Sequence, residues 1–573
     1  IKPFWFISAW EKVAALGLLD EAPIWARNSQ RLYYLCHKLN IEDIRKNPYL
    51  SGHHWWLFQD YWTGSNGIVE SYFRPKEHIK PEEVRQFVND VVLLEDGLAW
   101  AYRAGDTVET AFLVSNYAEA PLADTTLTCR IECGGQTLLE DSRAIAPPPQ
   151  GSVTPVRECR FACPEAAEPL PLTIRLQLTT PSRTVENAWT TRVYPRETAP
   201  VLEHPVYATV EWSDELAPFG VQPVPEDGAF PPQAAYVAST LSRTLVQAVN
   251  DGACLLLLKP DGVFSAVNNR FKTTWWLGSP HDSNVGTVVY DHPVTQGMAP
   301  EGWCDGGWYR LLENASSYLL DGAPLRPDVL VRGIDGHRFC RDRVLLFQMR
   351  VGKGSVIACG LNLERDDPPA PEKEWLKARL LEYAASLPRP AAEWPAAYFE
   401  ERAMDTPPVT GPFVAGFASS TAGQIQSYVS YREEHAPYYI LRQTDTANRL
   451  EWITAPVPET FDSDHATFVF AGGLGWRTQP ETPGFAFRVN GKRILDFDIT
   501  DQARQWQDGA SGISLVFMPR RRLPEDTAGI FFVVVPARHL TPGKPCTFAV
   551  ESRGEGSQRW FGLNLYTDVP PAK

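Results

Sequence analysis

The sequence predicts a multidomain protein that combines α/β parts with all-β parts. Its 573 residues exceed what one hydrophobic core supports and correspond to about three to five domains. Hydrophobic residues make up 44% and charged residues 21% of the chain, as in ordinary globular proteins. The 49 prolines and 40 glycines indicate many turns between short strands, so we expect most of the chain to be β structure.

The charge and the apolar pattern exclude two kinds of partner. The formal charge of -15 argues against binding to nucleic acid. No run of about 18 apolar residues is present, so no membrane-spanning helix is predicted. No Cys/His cluster has the spacing of zinc ligands, and we predict neither a metal nor a cofactor.

Residues 1–90 follow the helix–strand–helix order of an α/β fold. Apolar residues at helical spacing predict helix over residues 1–48, broken near Pro23. The aromatic run SGHHWWLFQDYW at 51–62 is predicted to be a strand, and residues 81–91 a short helix. Two such units do not make a domain. We therefore expect the last piece of a barrel, whose earlier strands precede this sequence.

Residues 91–196 are predicted to form an immunoglobulin-like β-sandwich. Alternating strands of about 6–8 residues are separated by turns throughout this region. Cys129 and Cys133, and again Cys159 and Cys163, stand four residues apart, which places each pair on one face of a strand. The two segments either pair as disulfides or simply fill the core, and the cysteines leave the compartment open.

Residues 197–390 return to α/β character, and residues 391–573 are again all β. The first prediction rests on short apolar strands at 206–212 and 253–260, a helix at 239–252, a hairpin at 344–363 and an amphipathic helix at 374–387. The Pro/Ala-rich run at 387–397 is predicted to be a linker.

The aromatic run at 51–62 contains the main candidates for functional residues. Alternate residues of a strand share a face, so Trp56 and Asp60 are expected to point together. A carboxylate in a plain core needs a partner, whereas at the C-terminal end of a barrel strand it faces the active-site mouth. A site role and ordinary core packing both remain open on these grounds.

The motif Trp56-Leu-Phe-Gln-Asp60, followed by Gly67-Ile-Val-Glu-Ser-Tyr-Phe-Arg-Pro-Lys76, resembles a known family. It is similar to the eighth barrel strand and exit of family 2 glycoside hydrolases, the β-galactosidase, β-glucuronidase and β-mannosidase group. The resemblance implies that residues 1–90 are the C-terminal end of a TIM barrel. It also implies that Trp56 stacks on the sugar, with Asp60 close behind. His54, Trp62 and Asn66 are the further substrate-binding candidates of this stretch.

The sequence departs from the family at the catalytic carboxylates. Retaining enzymes need two carboxylates about 5 Å apart, which the family places on barrel strands that would precede residue 1. Glu11 lies in a predicted helix and does not match the nucleophile strand, so no catalytic residue is assigned to this chain.

A second departure concerns the sugar. Where glucuronidases of the family carry an Asn-x-Lys pair, this chain has Gly64-Ser65-Asn66, without a cation. The resemblance therefore implies a neutral sugar, such as a β-galactoside, rather than a uronic acid. Asn66 either donates to a sugar hydroxyl or is a turn residue before Gly67.

Residues 197–390 resemble the glutamine-amidotransferase-like, flavodoxin-like α/β domain that follows some glycosidase barrels. An active amidotransferase needs a Cys on a Gly-x-Cys-x-Gly elbow with a His partner. Cys254 and Cys359 do not lie on such an elbow, so a structural or oligomerisation role is predicted. Trp275-Trp276 and His281-Asp282 either line a pocket or pack between domains.

Residues 391–573 resemble galactose-binding jelly-roll β-sandwiches, in which sugars lie on exposed aromatic rings. Trp476, Trp506 and Trp560 are the candidates for such stacking, and core packing is the alternative for each.

Together these features predict part of a retaining exo-β-glycosidase for a neutral sugar, with its Glu pair upstream or on a partner chain. The expected partners are a glycoside or oligosaccharide, a chain that carries the rest of the barrel, and further copies of this chain. The alternative is a non-catalytic carbohydrate-binding or assembly subunit.

Overall fold

A computed structural model describes most of the chain. The described residues are 4–47, 49–50, 52–55, 57–61, 66–225, 230–260, 262–271, 286–320, 323–335, 340–403, 409, 411–420, 426–429, 437–441, 449–460, 463–474, 484–499, 504–521, 528–553 and 561–564. They form a multidomain mixture of α/β and β structure in which strands predominate. None of the described helices is long and apolar enough to cross a membrane.

The N-terminal segment, residues 4–90, is built around one long helix. Its helices are α1 (Phe4–Ala15), α2 (Ala22–Lys46) and α3 (Pro81–Arg85), with a short 3-10 turn at Leu19–Glu21. Pro23 lies in the first turn of α2, where its missing N–H leaves no hydrogen bond unmade. The break predicted near Pro23 is confirmed, since it lies between α1 and α2, and the proline stands at the start of the long helix.

The predicted strand at 51–62 is not a regular strand in its described residues. Gln59 makes one isolated bridge with Val69, and the Asp60 N–H donates to the Val69 carbonyl at 3.0 Å. A strand needs a neighbour along its whole length to satisfy its backbone groups, and among the described residues of 52–61 only Gln59 and Tyr61 form bridges, each of them isolated. Trp56, the residue predicted to share a face with Asp60, lies outside the described residues. Phe58 is exposed and Asp60 is largely buried.

Residues 91–194 form two sheets around one core. The strands are β1 (Val91–Asp96), β2 (Ala101–Arg103), β3 (Thr107–Asn116), β4 (Thr126–Cys133), β5 (Gln136–Ala144), β6 (Ser152–Ala162), β7 (Leu170–Thr180) and β8 (Arg183–Tyr194). One sheet has the order β1-β3-β6 and the other β2-β8-β7-β4-β5. Alternate residues of β4 and β7 are buried, so period-two patterning sets which face meets the core.

Residues 206–400 form a large mixed sheet with helices packed on it. Its strands are β9 (Val206–Ala208), β10 (Gln222–Pro223), β11 (Ala235–Ala238), β12 (Cys254–Leu258), β13 (Ser265–Asn269), β14 (Val288–Val289), β15 (Ala315–Leu319), β16 (Asp328–Arg332), β17 (Arg343–Val351), β18 (Gly354–Cys359) and β19 (Glu393–Trp394). The helices are α4 (Val210–Leu216), α5 (Arg243–Asp251), α6 (Tyr309–Leu312), α7 (Pro371–Ala385) and α8 (Ala396–Glu400), with 3-10 turns at Ala217–Phe219 and Gly306–Trp308.

The mixed sheet has a parallel part and an antiparallel part. Its main path runs β10-β9-β11-β12-β18-β17-β15-β13, parallel as far as β18 and antiparallel beyond it. The helix ending at Gly252, the β17–β18 hairpin and the helix α7 are confirmed. The predicted strand at 206–212 is wrong in its second half, since β9 ends at Ala208 and Thr209 caps the start of α4.

The predicted linker at 387–397 is instead part of this unit. Trp394 is buried beside Phe264 and Phe399, and β19 pairs in parallel with β17. Three prolines and four alanines favour a flexible run, but the buried indole of Trp394 outweighs them because its burial removes a large apolar surface from water.

The remaining strands form two sheets with an aromatic core. They are β20 (Phe413–Ala415), β21 (Ser419–Ser420), β22 (Gln426–Val429), β23 (Pro437–Leu441), β24 (Arg449–Pro456), β25 (His465–Leu474), β26 (Phe485–Val489), β27 (Lys492–Phe497), β28 (Arg504–Gln507), β29 (Ser514–Arg521), β30 (Ala528–Pro536), β31 (Pro545–Ser552) and β32 (Phe561–Asn564), with a 3-10 turn at Ala537–His539. One sheet runs β22-β23-β32-β25-β30-β29-β28, with β20 beside β25, and the other runs β21-β24-β31-β26-β27. Trp452, Phe470, Phe531 and Phe561 pack together between them.

A buried ion pair fastens α2 to the sheets of residues 91–194. The Lys38 ammonium and the Glu42 carboxylate, one helical turn apart, contact each other and are both nearly inaccessible to solvent. Asn187 accepts from Lys38 and donates to Glu42 at 2.8 Å, and the Trp189 indole N–H donates to the other Glu42 oxygen at 2.9 Å. Each charge of the pair thus has hydrogen-bond partners besides the other, which offsets the cost of burying it.

Replacing Lys38 by methionine should loosen α2, because it leaves the Glu42 carboxylate buried without its cation. We expect the free energy of opening of α2 to fall by about 3 to 5 kcal/mol, measured by hydrogen exchange of its backbone amides. The matched control is Lys46→Met in the same helix, whose ammonium pairs with the exposed Asp43 and Asp96 and should change the value by less than about 1 kcal/mol. Equal effects of the two substitutions would contradict this role for the buried pair.

Candidate functional site

The motif residues gather against the middle of α2. Tyr33 and His37 stand one turn apart on that helix, so their rings lie on one face, 4.2 Å between centroids. The Trp55 indole stacks on the His37 imidazole at 4.4 Å, and its N–H donates to the Tyr33 hydroxyl at 3.2 Å. The Tyr33 hydroxyl donates in turn to the Asn66 carbonyl. These contacts connect α2 to both ends of the predicted site stretch.

Asp60 is the centre of a second set of contacts. Its Oδ1 accepts from the Gly67 N–H at 2.8 Å and lies 3.1 Å from the Lys76 Nζ. The Lys76 ammonium also lies 5.4 Å from the centre of the Tyr33 ring. Asp60, Gly67 and Lys76 are the fixed positions of the sequence motif, and the fold brings all three together. We call Tyr33, Trp55, Asp60, Gly67 and Lys76 the Asp60 cluster.

Gly67 is required by close backbone approach. A Cβ at this position would stand 2.1 Å from the Gln59 carbonyl carbon and 2.2 Å from the Asp60 nitrogen. Only glycine fits where two backbone segments meet at this distance. The segment after the motif strand is therefore held against it by a glycine and by the Asp60 carboxylate.

Burial governs the electrostatics of the cluster. It raises the pKa of Tyr33 to about 12, with a further rise from the Asp60 charge and an opposing effect of the Trp55 hydrogen bond. Burial, followed by the charges of His53 and Lys76, lowers the pKa of His37 to about 4. At neutral pH Tyr33 is thus a neutral phenol and the adjoining His37 a neutral imidazole, beside the ion pair of Asp60 and Lys76.

An exposed aromatic surface adjoins the cluster. We define it by Phe58, Tyr61, Tyr72 and Phe73, whose exposed fractions are 58%, 43%, 80% and 64%. Phe58 and Phe73 are neighbours, with ring centroids 6.5 Å apart. Phe73 has φ of 61°, a left-handed conformation that is strained for a bulky residue. Several large aromatic side chains exposed side by side usually mark a surface that binds a partner or a ligand.

The other predicted site residues divide into two groups. Those outside the described residues are Trp56, Trp62, Trp275, Trp276, His281, Asp282, Trp476 and Trp560. Of the rest, His54 is exposed, and Asn66 is half-buried with its carbonyl bound to Tyr33. Trp506 is half-buried, and its ring packs edge-on against Phe497 at 5.9 Å.

The two candidate amidotransferase cysteines are buried in the central sheet. Cys254 and Cys359 are fully inaccessible to solvent, and burial raises the pKa of each thiol to about 12. A thiol of this kind is protonated at neutral pH, whereas a nucleophilic cysteine needs an accessible thiolate. The structure gives these two residues the surroundings of core side chains.

Sequence reasoning missed the contribution of α2. Tyr33 and His37 were not singled out, although an aromatic and an imidazole at i, i+4 on a predicted helix share a face. Lys76 was noted only as the end of the motif. The signal for it was its charge, since a buried carboxylate at position 60 requires a cation or several donors.

Two regions of the chain match models of protein families. Residues 236–400 match DUF8487 and residues 106–195 match DUF8488, each described as a domain of unknown function. None of the curated proteins matches the sequence.

Solved structures show only distant similarity. The CARDB domain of a Pyrococcus furiosus protein is 14% identical, with a TM-score of 0.14, over 18% of this chain and 92% of that one. A β-glucuronidase of Parabacteroides merdae is 10% identical, with a TM-score of 0.16, over 32% of this chain and 26% of its own length. β-Glucuronidase 3 of Bacteroides uniformis is 14% identical, with a TM-score of 0.16, over 28% and 20%. The chain thus spans about a quarter or less of these glucuronidases.

Substituting Gly67 by alanine should break the contact between the two backbone segments, because the new methyl group overlaps the backbone of Gln59 and Asp60. We expect a cost of about 1 to 3 kcal/mol, seen as loss of exchange protection at the Asp60 and position-67 amides and faster proteolysis between residues 57 and 76. The matched control is Gly509→Ala, whose added Cβ would meet nothing within 4 Å. Unchanged protection in the Gly67 variant would refute the role given to this glycine.

Acid should destabilise the N-terminal segment through His37. The unfolded histidine binds a proton below pH 6.5, but the folded one does so only below about 4. Protons therefore favour the unfolded state between these values, and stability falls as pH falls through this window, by at most about 3 kcal/mol. Urea unfolding, detected by proteolytic cleavage within α2, measures the effect at each pH, and the pH dependence should be weaker in His37→Gln than in the unsubstituted protein. A pH dependence that His37→Gln retains in full would contradict this assignment.

Proposed function

We propose that residues 4–90 supply the floor of a sugar-binding site in a retaining β-glycosidase that acts on a neutral sugar. The single observation that carries the proposal is the Asp60 cluster. Asp60, Gly67 and Lys76, the positions that define the family-like motif, meet in one hydrogen-bonded group at 2.8 and 3.1 Å. A motif whose parts contact one another has a structural reason to occur as a unit.

In this proposal the Asp60 cluster positions the site and does not perform the chemistry. Lys76 and the Gly67 N–H both engage Oδ1 of Asp60, so the carboxylate orients the loop that begins at Asn66. The proton donor and the nucleophile of a retaining enzyme are two carboxylates about 5 Å apart, and we assign them to further polypeptide, on the same chain or on a partner.

The exposed side chains of the N-terminal segment support this requirement for more polypeptide. Most of the large apolar side chains that the described structure leaves exposed lie in residues 4–90, among them Phe6, Trp10, Tyr49 and the aromatic surface. Exposed apolar surface of this extent is typical of a segment that packs against a partner. In a barrel, a neighbouring strand would also pair along the whole of residues 52–61.

A second candidate function is carbohydrate binding without hydrolysis. The observation that favours it is the aromatic surface itself, because exposed rings beside hydrogen-bonding groups hold sugars by stacking. In that case no Glu pair is required, and residues 58–73 bind the ligand directly.

A panel of nitrophenyl β-glycosides tests the proposal. We expect the 573-residue chain alone to leave the galactoside, glucoside, mannoside and glucuronide intact, and the native protein that contains this chain to hydrolyse a neutral glycoside. Asp60→Asn in that protein should lower kcat/KM at least about tenfold, equivalent to about 1.4 kcal/mol, because the loop at Asn66 loses its anchor. The matched control is Asp96→Asn, an exposed carboxylate outside the cluster.

Three results would count against the glycosidase proposal. Hydrolysis by the chain alone would place the carboxylates within it, and preference for the glucuronide would contradict the neutral sugar. If the native protein migrates more slowly in gels that contain a soluble polysaccharide but hydrolyses none of the glycosides, the binding function is favoured instead.

A further inference from the structure

Four cysteines lie in the core of residues 91–194. Cys129 and Cys133 lie on β4, Cys159 lies on β6, and Cys163 follows the end of β6. All four are at most 5% exposed and belong to the same hydrophobic core. The ten cysteines of the chain are free thiols in this structure.

The Cys129 and Cys159 thiols join the two sheets. The strand β4 belongs to the five-stranded sheet and β6 is the edge strand of the three-stranded sheet. The two side chains are nevertheless brought close together. Arg157, on the same face of β6 as Cys159, donates to Asp141 at 2.7 Å, and Asp141 stands directly opposite Cys129 in the β4–β5 pairing. Two thiols placed so across one core form a disulfide once a limited movement brings them to bonding distance.

A cation stands beside this pair. Arg157 precedes Cys159 by two residues and is largely buried, with its Nη1 donating to Asp141 at 2.7 Å. Asp141 is the residue directly opposite Cys129 in the β4–β5 pairing, so the guanidinium is fixed at the pair. The hydrogen bond from Cys129, aided by the Arg157 charge, lowers the pKa of Cys159 to about 7. Cysteines become nucleophilic in such surroundings.

The second pair has different surroundings. Burial, followed by the charges of Asp106 and Cys133, raises the pKa of Cys163 to about 12, and burial raises the pKa of Cys133. Both thiols therefore stay protonated at neutral pH. Cys133 and Cys163 have the same buried core as Cys129 and Cys159 but no activating cation, and they provide an internal comparison.

We propose that Cys129 and Cys159 are an oxidation site and form an inter-sheet disulfide by exchange with a low-molecular-weight disulfide such as glutathione disulfide. The Cys159 thiolate attacks one sulfur of glutathione disulfide and releases a first glutathione thiolate. Cys129 then loses its proton and attacks the Cys159 sulfur of the mixed disulfide, which releases the second glutathione. Two protein thiols are oxidised, one glutathione disulfide is reduced to two thiols, and the two protons pass to the two leaving thiolates.

The position of the pair sets how it reacts and what the bond does. Because Cys159 lies on an edge strand, local opening of β6 exposes it without unfolding the whole core. The new bond ties β4 to β6 across the two sheets and restricts the unfolded chain between residues 129 and 159. Oxidation is therefore expected to make residues 91–194 more stable.

Peptide mapping of the full chain tests the proposal. The native chain is incubated with glutathione disulfide at pH 8, alkylated, and digested without reduction. We expect one cross-linked peptide pair that contains Cys129 and Cys159, with a mass lower by two hydrogens. The thermal unfolding midpoint of residues 91–194, followed by hydrogen exchange, should rise by about 5 °C or more.

Variants separate this pair from its neighbours. Cys129→Ala and Cys159→Ala should each abolish the cross-link, whereas the matched control Cys133→Ala should retain it. The proposal is overturned if the oxidised wild-type chain keeps both thiols free, carries a persistent glutathione adduct on Cys159, or links Cys133 to Cys163 instead. The wild-type map decides the matter even where a core substitution prevents folding.

Discussion

The buried pair of Lys38 and Glu42 fixes the helix on which the candidate site depends. At its C-terminal half, α2 is held by the Asn187 and Trp189 side chains of the neighbouring sheet. At its N-terminal half, the Asn28 amide donates to the carbonyls of Thr287 and Gly302 at 2.9 Å. Tyr33 and His37 lie between these two attachments. The position of the Asp60 cluster is therefore determined by contacts that α2 makes with two other parts of the protein, since packing and not propensity stabilises such a helix.

The fold was predictable wherever a local pattern and its long-range packing agree. The helix that ends at Gly252 and the β17–β18 hairpin carry their own stop and turn signals, and both are observed. Prediction failed where a distant contact decides the outcome. Trp394 is drawn into a core formed by residues more than a hundred positions earlier, such as Phe264, and no pattern within a Pro/Ala-rich run reports that contact.

The candidate site was predictable in part for the same reason. The motif correctly marked Asp60, Gly67 and Lys76 as positions that belong together, because their spacing in the chain is local. The motif does not include Tyr33 or Trp55. Tyr33 lies on α2, and Trp55 precedes the first residue of the motif; the two side chains are hydrogen-bonded to each other in the cluster. A regular strand would assign faces by alternation, whereas the described backbone forms only isolated bridges, at Gln59 and Tyr61.

The buried indole at Trp394 also defines where the protein can be divided. A fragment that stopped at residue 390 would leave an indole-sized void beside Phe264 and uncover the edge of β17 that β19 pairs with. The unit of residues 206–400 is complete only with α8, whose Phe399 closes the same core. The segment that leads into the C-terminal sheets is therefore packed against the α/β part through β19 and α8. Separating the two parts requires a cut after α8 and not within the proline-rich run.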